Sequence, residues 1–195
     1  MFASLEDVRK DCAQRLIRAA RDRRSAMHTP VIVTGDVDAR VMVLRAFDQA
    51  AWSLRLHTDA RAPKAAVIAG DPRVAALFYD QGAKIQIRLR GTGEILTTGP
   101  EVDAAWTGST RFARRCYLGE GPGVVSSGPT SGLPGEVEGR EPEEAELVPA
   151  RDHFALLRIR IAVIDWLYLS HTGHLRARFT RTDEGAAWQG CWLTP

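Results

Sequence analysis

Arginines, a lysine, a histidine and a glutamine stand on or beside short β-forming runs from one end of this chain to the other. Arg40 and Arg45 bracket R-V-M-V-L-R, with Val41, Met42, Val43 and Leu44 between them. His57 and Thr58 end a later run, Lys64 follows, and Gln86 lies inside K-I-Q-I-R-L-R-G. Far downstream come Trp166 and the run H-L-R-A-R-F, which carries His174, Arg176 and Arg178. Guanidinium and ammonium groups hold phosphates and carboxylates through charge-assisted hydrogen bonds, an amide reads the edge of a heterocycle, and an indole packs on a flat ring. Singly, each residue has an ordinary explanation: a strand arginine is commonly solvated, and a tryptophan between Asp165 and Leu167 commonly packs in a core or an interface. As a set they suit one flat, anionic ligand, provided a curled sheet gathers them.

The elements that would position them read as follows. Ser4 with Asp7 forms a capping box, and Leu5, Val8, Cys12, Leu16 and Ala20 recur at helical spacing, which predicts an amphipathic helix over residues 4–26 packed on a sheet. Its arginines, Arg18 to Arg24, suit the negative end of the helix dipole. After Pro30 the pattern turns to strand: 31–34, 40–45 and 52–58 are β-branched or aromatic runs separated by turn formers. A short helix over 62–69 and strands over 74–79 and 84–90 follow. In 84–90, Ile85, Ile87 and Leu89 alternate with Lys84, Gln86, Arg88 and Arg90, the period of a strand with one polar face. Residues 94–97 continue the meander and 101–116 hold a short helix. Residues 154–169, 174–180 and 188–193 read as strands.

Between them, residues 119–149 are rich in glycine, proline and serine and end in an acidic run, Glu136 to Glu146. So long a loop in one domain is expected to be functional or mobile. Many short strands, few helices and no β-α-β alternation predict an antiparallel barrel with peripheral helices. Neither the dinucleotide-binding glycine fingerprint nor a P-loop is present.

Bulk properties narrow the function. A length of 195 residues favours a single domain spanning 1–195. The net charge of +2 is too small for a surface that tracks nucleic-acid phosphates. No apolar run is long enough to span a bilayer, and M-F-A-S-L-E-D-V-R-K lacks a secretory apolar core, so a cytoplasmic location is expected. Three scattered cysteines predict reduced thiols rather than a disulfide framework, and no metal site is expected.

The order of these pieces resembles the pyridoxamine 5′-phosphate oxidase family of FMN-binding split barrels. The succession is R-V-M-V-L-R, His57-Thr58, Lys64, Asp71-Pro72 before V-A-A-L-F-Y, Gln86 in I-Q-I-R-L-R-G, then D-W-L-Y-L, H-L-R-A-R-F and W-L-T-P. It covers roughly residues 30–118 and 154–195. Y-L-G-E-G-P-G and P-T-S-G-L-P resemble a related bacterial branch rather than the oxidase proper. The resemblance implies an α+β, mainly β, split barrel that binds FMN between two copies of the chain.

It also implies roles for particular residues. Arg40 and Lys64 would meet the FMN phosphate, the backbone from Val41 to Leu44 would run beside the flavin, and Arg45, His57, Thr58, Gln86, Trp166 and Arg178 would complete the cofactor contacts. Arg45, His174 and Arg176 would face a small-molecule substrate. No catalytic residue is singled out.

The chain departs from the family in places. Pro63-Lys64 replaces an Arg-Lys pair, with Arg61 the nearby substitute, and Arg45 stands where the family has lysine. The family's Gln-Ser pair has no clean counterpart, although Ser126 and Thr130 fall near it. The oxidase's substrate motif does not align over 105–115, and its Arg-x-His pair becomes His174-Leu175-Arg176. The cofactor half is thus mostly kept and the substrate half altered.

The leading expectation is an FMN-dependent oxidoreductase acting as a homodimer. The alternative is a non-catalytic flavin- or haem-binding module, with His57, His171 and His174 as candidate haem ligands. A third reading is an interaction domain with residues 119–149 as its recognition loop.

Overall fold

The computed structural model describes residues 2–182 and 187–195. Its elements in chain order are α1 (Leu5–Arg21), β1 (Val31–Val33), β2 (Ala39–Val41), β3 (Leu44–Asp48), β4 (Ser53–Asp59), α2 (Pro63–Gly70), β5 (Arg73–Asp80), β6 (Ile85–Leu96), α3 (Pro100–Thr107), α4 (Arg111–Arg114), β7 (Phe154–Tyr168), β8 (Leu175–Arg181) and β9 (Trp188–Leu193). Short 3₁₀ segments cover Arg115–Leu118 and Glu144–His153.

β7 organises the sheet. Along one edge it pairs with β6 over almost its whole length. Its other edge is shared: Phe154–Arg160 pairs with β4, and Val163–Tyr168 pairs with β8. Two antiparallel wings, β3-β4 and β8-β9, therefore leave the same strand edge. Beyond β6 the order continues through β5 and β1 to β2. The wings meet again where Trp52 packs edge-on against Trp188, with ring centroids 5.2 Å apart, and Arg181 donates to the Ala51 carbonyl. The result is a curled antiparallel sheet with peripheral helices, a split barrel.

α1 begins as the capping box requires: the Asp7 amide donates to the Ser4 hydroxyl and the Ser4 amide to the Asp7 carboxylate. Its apolar face, Val8, Cys12, Ala13, Leu16 and Ala19, is buried in the same core as Leu44, Leu54 and Leu56. Burial there also pushes the Cys12 thiol well above the usual thiol range. The helix stops at Arg21, short of the residue-26 end expected from sequence. Asp22 takes an extended conformation, and its carboxylate accepts from the Arg24 amide, which turns the chain away.

Two strand boundaries also differ from expectation. The run 40–45 is not one strand: past Val41 the amides of Met42 and Leu44 donate to the carbonyls of Pro30 and His28, which carries the chain across the entry to β1 and on to β4. Conversely, 84–90 and 94–97 fuse into β6, because Gly91 and Gly93 continue the strand. A Cβ at Gly91 would fall 1.8 Å from the Arg160 carbonyl oxygen, and the register shifts there in a bulge.

The segment after residue 119 is held by ion pairs. Arg111 binds Glu141 and Glu143, Arg114 forks onto Glu144, and Arg140 forks onto Glu146. Gly121 and Gly123 lie against Arg61 and Pro63 at the start of α2.

Candidate functional site

The structure sorts the candidate residues into three groups, and one sheet geometry explains the sorting. Residues directly paired across antiparallel strands share a face. Val41, Val31, Leu77, Arg88, Asp165 and Arg178 are paired in succession and so lie on one face. Arg40 pairs with Ile32, which pairs with Ala76 and through it with Leu89, so Arg40 belongs to the opposite, core-side face. Within one protomer, Arg40 and Arg178 do not converge.

The first group is Arg40 with Lys64. Arg40 Nη1 donates to Thr34 Oγ1 at 2.8 Å and Nη2 donates to the Asp38 carboxylate. Lys64, in the first turn of α2, makes no hydrogen bond or ion pair among the described residues. Burial and then repulsion from Arg40 lower its pKa, against the opposing pull of Asp59 and Asp38. That repulsion places the two cations within each other's field. Arg61, the candidate second phosphate cation, is instead forked onto Asp59 at 3.0 and 2.7 Å. Thr58 follows Leu54 and Leu56 in strand parity; it is buried and its hydroxyl donates to the Asp59 carbonyl at 3.4 Å.

The second group surrounds Arg45. The pairing of β3 with β4 slips between Leu44 and Ala46, so Arg45 is the extra residue of a bulge. With Arg23, Arg55, His57 and the ends of α3 and α4 it lines a recess of about 270 Å³. Burial first, and then Arg45 and Arg55, pull the His57 pKa down to about 4, which keeps the imidazole neutral at neutral pH. Arg55 has Glu101 near it at 3.6 Å, and among the described residues its buried Nε has no partner. Sequence reasoning missed Arg23 and Arg55. Neither lies in the runs singled out from the sequence, and only folding brings Arg23, just past α1, beside Arg55 of β4.

The third group is gathered on Asp165, whose side chain is 7% exposed. Arg176 forks onto it at 3.0 and 2.9 Å, Arg88 reaches it at 3.0 Å and Arg178 at 3.4 Å. Although burial works to raise the Asp165 pKa, the hydrogen bonds from Arg176 and Arg88 outweigh it and hold the carboxyl low. These side chains, with Val33, Leu77 and Arg90, line a recess of about 340 Å³. Gln86 stands one row away on the same face, between Tyr79 and Leu167, and its amide makes no hydrogen bond among the described residues. The Arg178 Nε is buried without a partner among the described residues.

Four candidate residues lie outside these groups. Trp166 is fully buried in the core, edge-on to Phe2 with centroids 4.5 Å apart. β7 parity turns it inward with Ile164, away from Asp165. His174 Nδ1 accepts from the Ser170 amide and so closes the β7–β8 turn. In the glycine-rich segment, the Ser126 hydroxyl donates to the Gly128 carbonyl and the Thr130 hydroxyl accepts from the Gly132 amide, both local turn contacts.

The curled sheet and its shared β7 edge define a split barrel with peripheral helices. Residues 13–97 match the family model described as pyridoxamine 5′-phosphate oxidase, FMN-binding domain. The chain is 38% identical over 93 residues to the pyridoxine/pyridoxamine 5′-phosphate oxidase of Kineococcus radiotolerans, a match covering 48% of this chain and 38% of that protein.

Among solved structures, it is similar to a pyridoxamine 5′-phosphate oxidase-related, FMN-binding protein from Nostoc punctiforme, with a TM-score of 0.75, 23% identity and coverage of 98% of this chain and 100% of that one. It is also similar to PhzG from Burkholderia lata, with a TM-score of 0.67, 16% identity and coverage of 98% and 92%. These two likenesses establish the fold. The sequence match to the family is confined to residues 13–97, less than half of the chain.

Proposed function

We propose that this protein binds FMN as a homodimer and is an oxidoreductase acting on a small anionic molecule, in a branch related to the oxidase rather than the oxidase proper. The observation that carries this reading is Lys64, an ammonium beside Arg40 with no partner among the described residues, inside the segment that matches an FMN-binding domain. A phosphate monoester at that point would supply the missing counter-charge.

The group fits the residues present. Besides Lys64, the structure offers on the opposite face two donors without a partner among the described residues, the Gln86 amide and the Arg178 Nε. Because the two faces point apart in one protomer, a two-fold partner is needed to bring Arg178 of one chain towards Arg40 of the other. The face that would meet the partner carries exposed Val41, Leu77 and Tyr79, with relative exposures of 64%, 37% and 43%, beside the Asp165 cluster. Bound FMN would supply hydride transfer, while the protein supplies orientation and charge.

The substrate end of the reading rests on the recess around Arg45. Three guanidinium groups face it, joined by a neutral imidazole able to accept a hydrogen bond. A carboxylate or phosphate on a small substrate suits that lining; the Burkholderia lata relative was crystallised with tetrahydrophenazine-1-carboxylic acid. The trapping of Arg176 by Asp165 and of His174 by Ser170 argues for this recess over those two residues.

The test is a visible spectrum of the purified protein, followed by light scattering after gel filtration. Bound or reconstituted FMN and a dimeric mass support the reading. A protein that stays colourless after incubation with FMN defeats it. Bound flavin that neither a nicotinamide donor reduces nor oxygen reoxidises would favour the non-catalytic module.

A further inference from the structure

The turn between β1 and β2, Thr34 to Asp38, carries an unusual backbone. Val37 has a φ of 67°, in the left-handed region, although it is β-branched. Its side chain is 83% exposed, so the conformation gains no burial in return. Strain of this kind persists where the surroundings over-determine it, and it gathers at functional positions.

Here the surroundings are the turn's own hydrogen bonds. The Val37 amide donates to the Thr34 carbonyl at 2.9 Å and the Thr34 amide to the Asp38 carbonyl at 3.2 Å. The closed turn sets the Thr34 hydroxyl and the Asp38 carboxylate on Arg40 together. Arg40 Nη1 donates to Thr34 Oγ1 and Nη2 to Asp38 Oδ2. The Thr34 hydroxyl hydrogen is engaged at 2.6 Å with Asp36 Oδ1, so an oxygen lone pair is what it offers Arg40. Thr34 is 3% exposed, which fixes that oxygen in place. A guanidinium has five N–H donors in a rigid plane. Two are used here, and pinning both terminal nitrogens fixes the plane while leaving the Nε–H and the remaining terminal hydrogens without a partner among the described residues.

We propose that Thr34 and Asp38 are positioning residues, which lock the Arg40 guanidinium so that its free N–H groups face a phosphate monoester and thereby make the site prefer a phosphorylated ligand to its dephosphorylated form. This rests on the FMN reading above. The alternative role for Asp38, a negative charge that competes with the ligand for Arg40, predicts the opposite sign of effect.

The experiment measures the affinities of FMN and of riboflavin, which lacks the phosphate, by flavin fluorescence for the full chain and three variants. The unaltered chain is expected to bind FMN more tightly than riboflavin. Asp38→Asn and Thr34→Val are each expected to weaken FMN binding by about tenfold, the scale of one charge-assisted hydrogen bond, and to leave riboflavin binding unchanged. Thr34→Ser, which keeps the hydroxyl, is expected to retain the preference.

Tighter FMN binding by Asp38→Asn would overturn the proposal in favour of competition. Unchanged preference in both variants would overturn it outright, and parallel loss of both flavins would reduce the turn to a structural role. If the unaltered chain binds neither flavin, the FMN reading itself falls and takes this inference with it. Normal FMN binding with unaltered variant preferences removes this inference alone.

Discussion

Arg40 and Arg178 look alike in sequence, each an arginine in a short strand, yet their surroundings separate them. Arg178 shares one buried carboxylate with Arg88 and Arg176, so three guanidinium groups lean on Asp165. Arg40 is held by a hydroxyl and a mostly exposed carboxylate, next to Lys64, which has no ion-pair partner among the described residues. The first arrangement settles its charges mainly within the chain and adds stability. The second leaves the Lys64 ammonium without a hydrogen-bond or ion-pair partner among the described residues. Donor type alone therefore does not mark a site; what marks it is whether the fold has already supplied the acceptor.

The largest expected effect comes from breaking the settled side. Asp165→Asn strips the shared charge from three arginines and is expected to cost about 3 kcal/mol of stability, as removal of one partner from a buried ion pair does, read by urea denaturation. A loss near zero would show that those arginines find other acceptors, and the contrast would fail. Next, Arg40→Ala should weaken FMN binding by about 30-fold, the scale of its charge-assisted hydrogen bonds, with little change in denaturation midpoint. Equilibrium dialysis checks the first quantity and a thermal melt the second. A large fall in melting temperature would make Arg40 a structural arginine like its counterpart.

A third test sharpens the outward-facing side. Lys64 has a lowered pKa, through burial and Arg40 against the pull of Asp59 and Asp38, so its charge is lost as pH rises through a value below the ordinary lysine range. FMN affinity should fall over that alkaline interval, and Lys64→Arg should abolish the fall. The smallest effect concerns His57, whose ring should titrate near pH 4 by NMR, and Arg45→Ala should move it upward. Because the unfolded imidazole takes a proton near its ordinary value and the folded one resists until about 4, stability should decline as pH falls between the two. His57→Gln should remove that part of the acid sensitivity.

Much of the architecture was legible along the chain. The clean alternation in 84–90 reappears as buried Ile85, Ile87 and Leu89 opposite Gln86, Arg88 and Arg90. The capping box at Ser4 starts α1 where expected. The departures share a cause, which is dependence on atoms distant in sequence. The break after Val41 needs the carbonyls of Pro30 and His28, and the fusion of two runs into β6 needs the Arg160 carbonyl passing close to Gly91. The candidate site divides the same way. Arg40 and Lys64 could be named from order in the chain, whereas the trapping of Arg176, the inward turn of Trp166 and the roles of Arg23 and Arg55 could not.

By itself, the sequence determined the residue chemistry and the local periods: which runs alternate, where a helix can start, and which positions carry positive charge. Tertiary structure alone decided which charges are already neutralised and which face of the sheet each one takes. The reason is that strand parity fixes a side chain's direction only after pairing and bulges are set, and those are set by contacts between segments far apart in the chain.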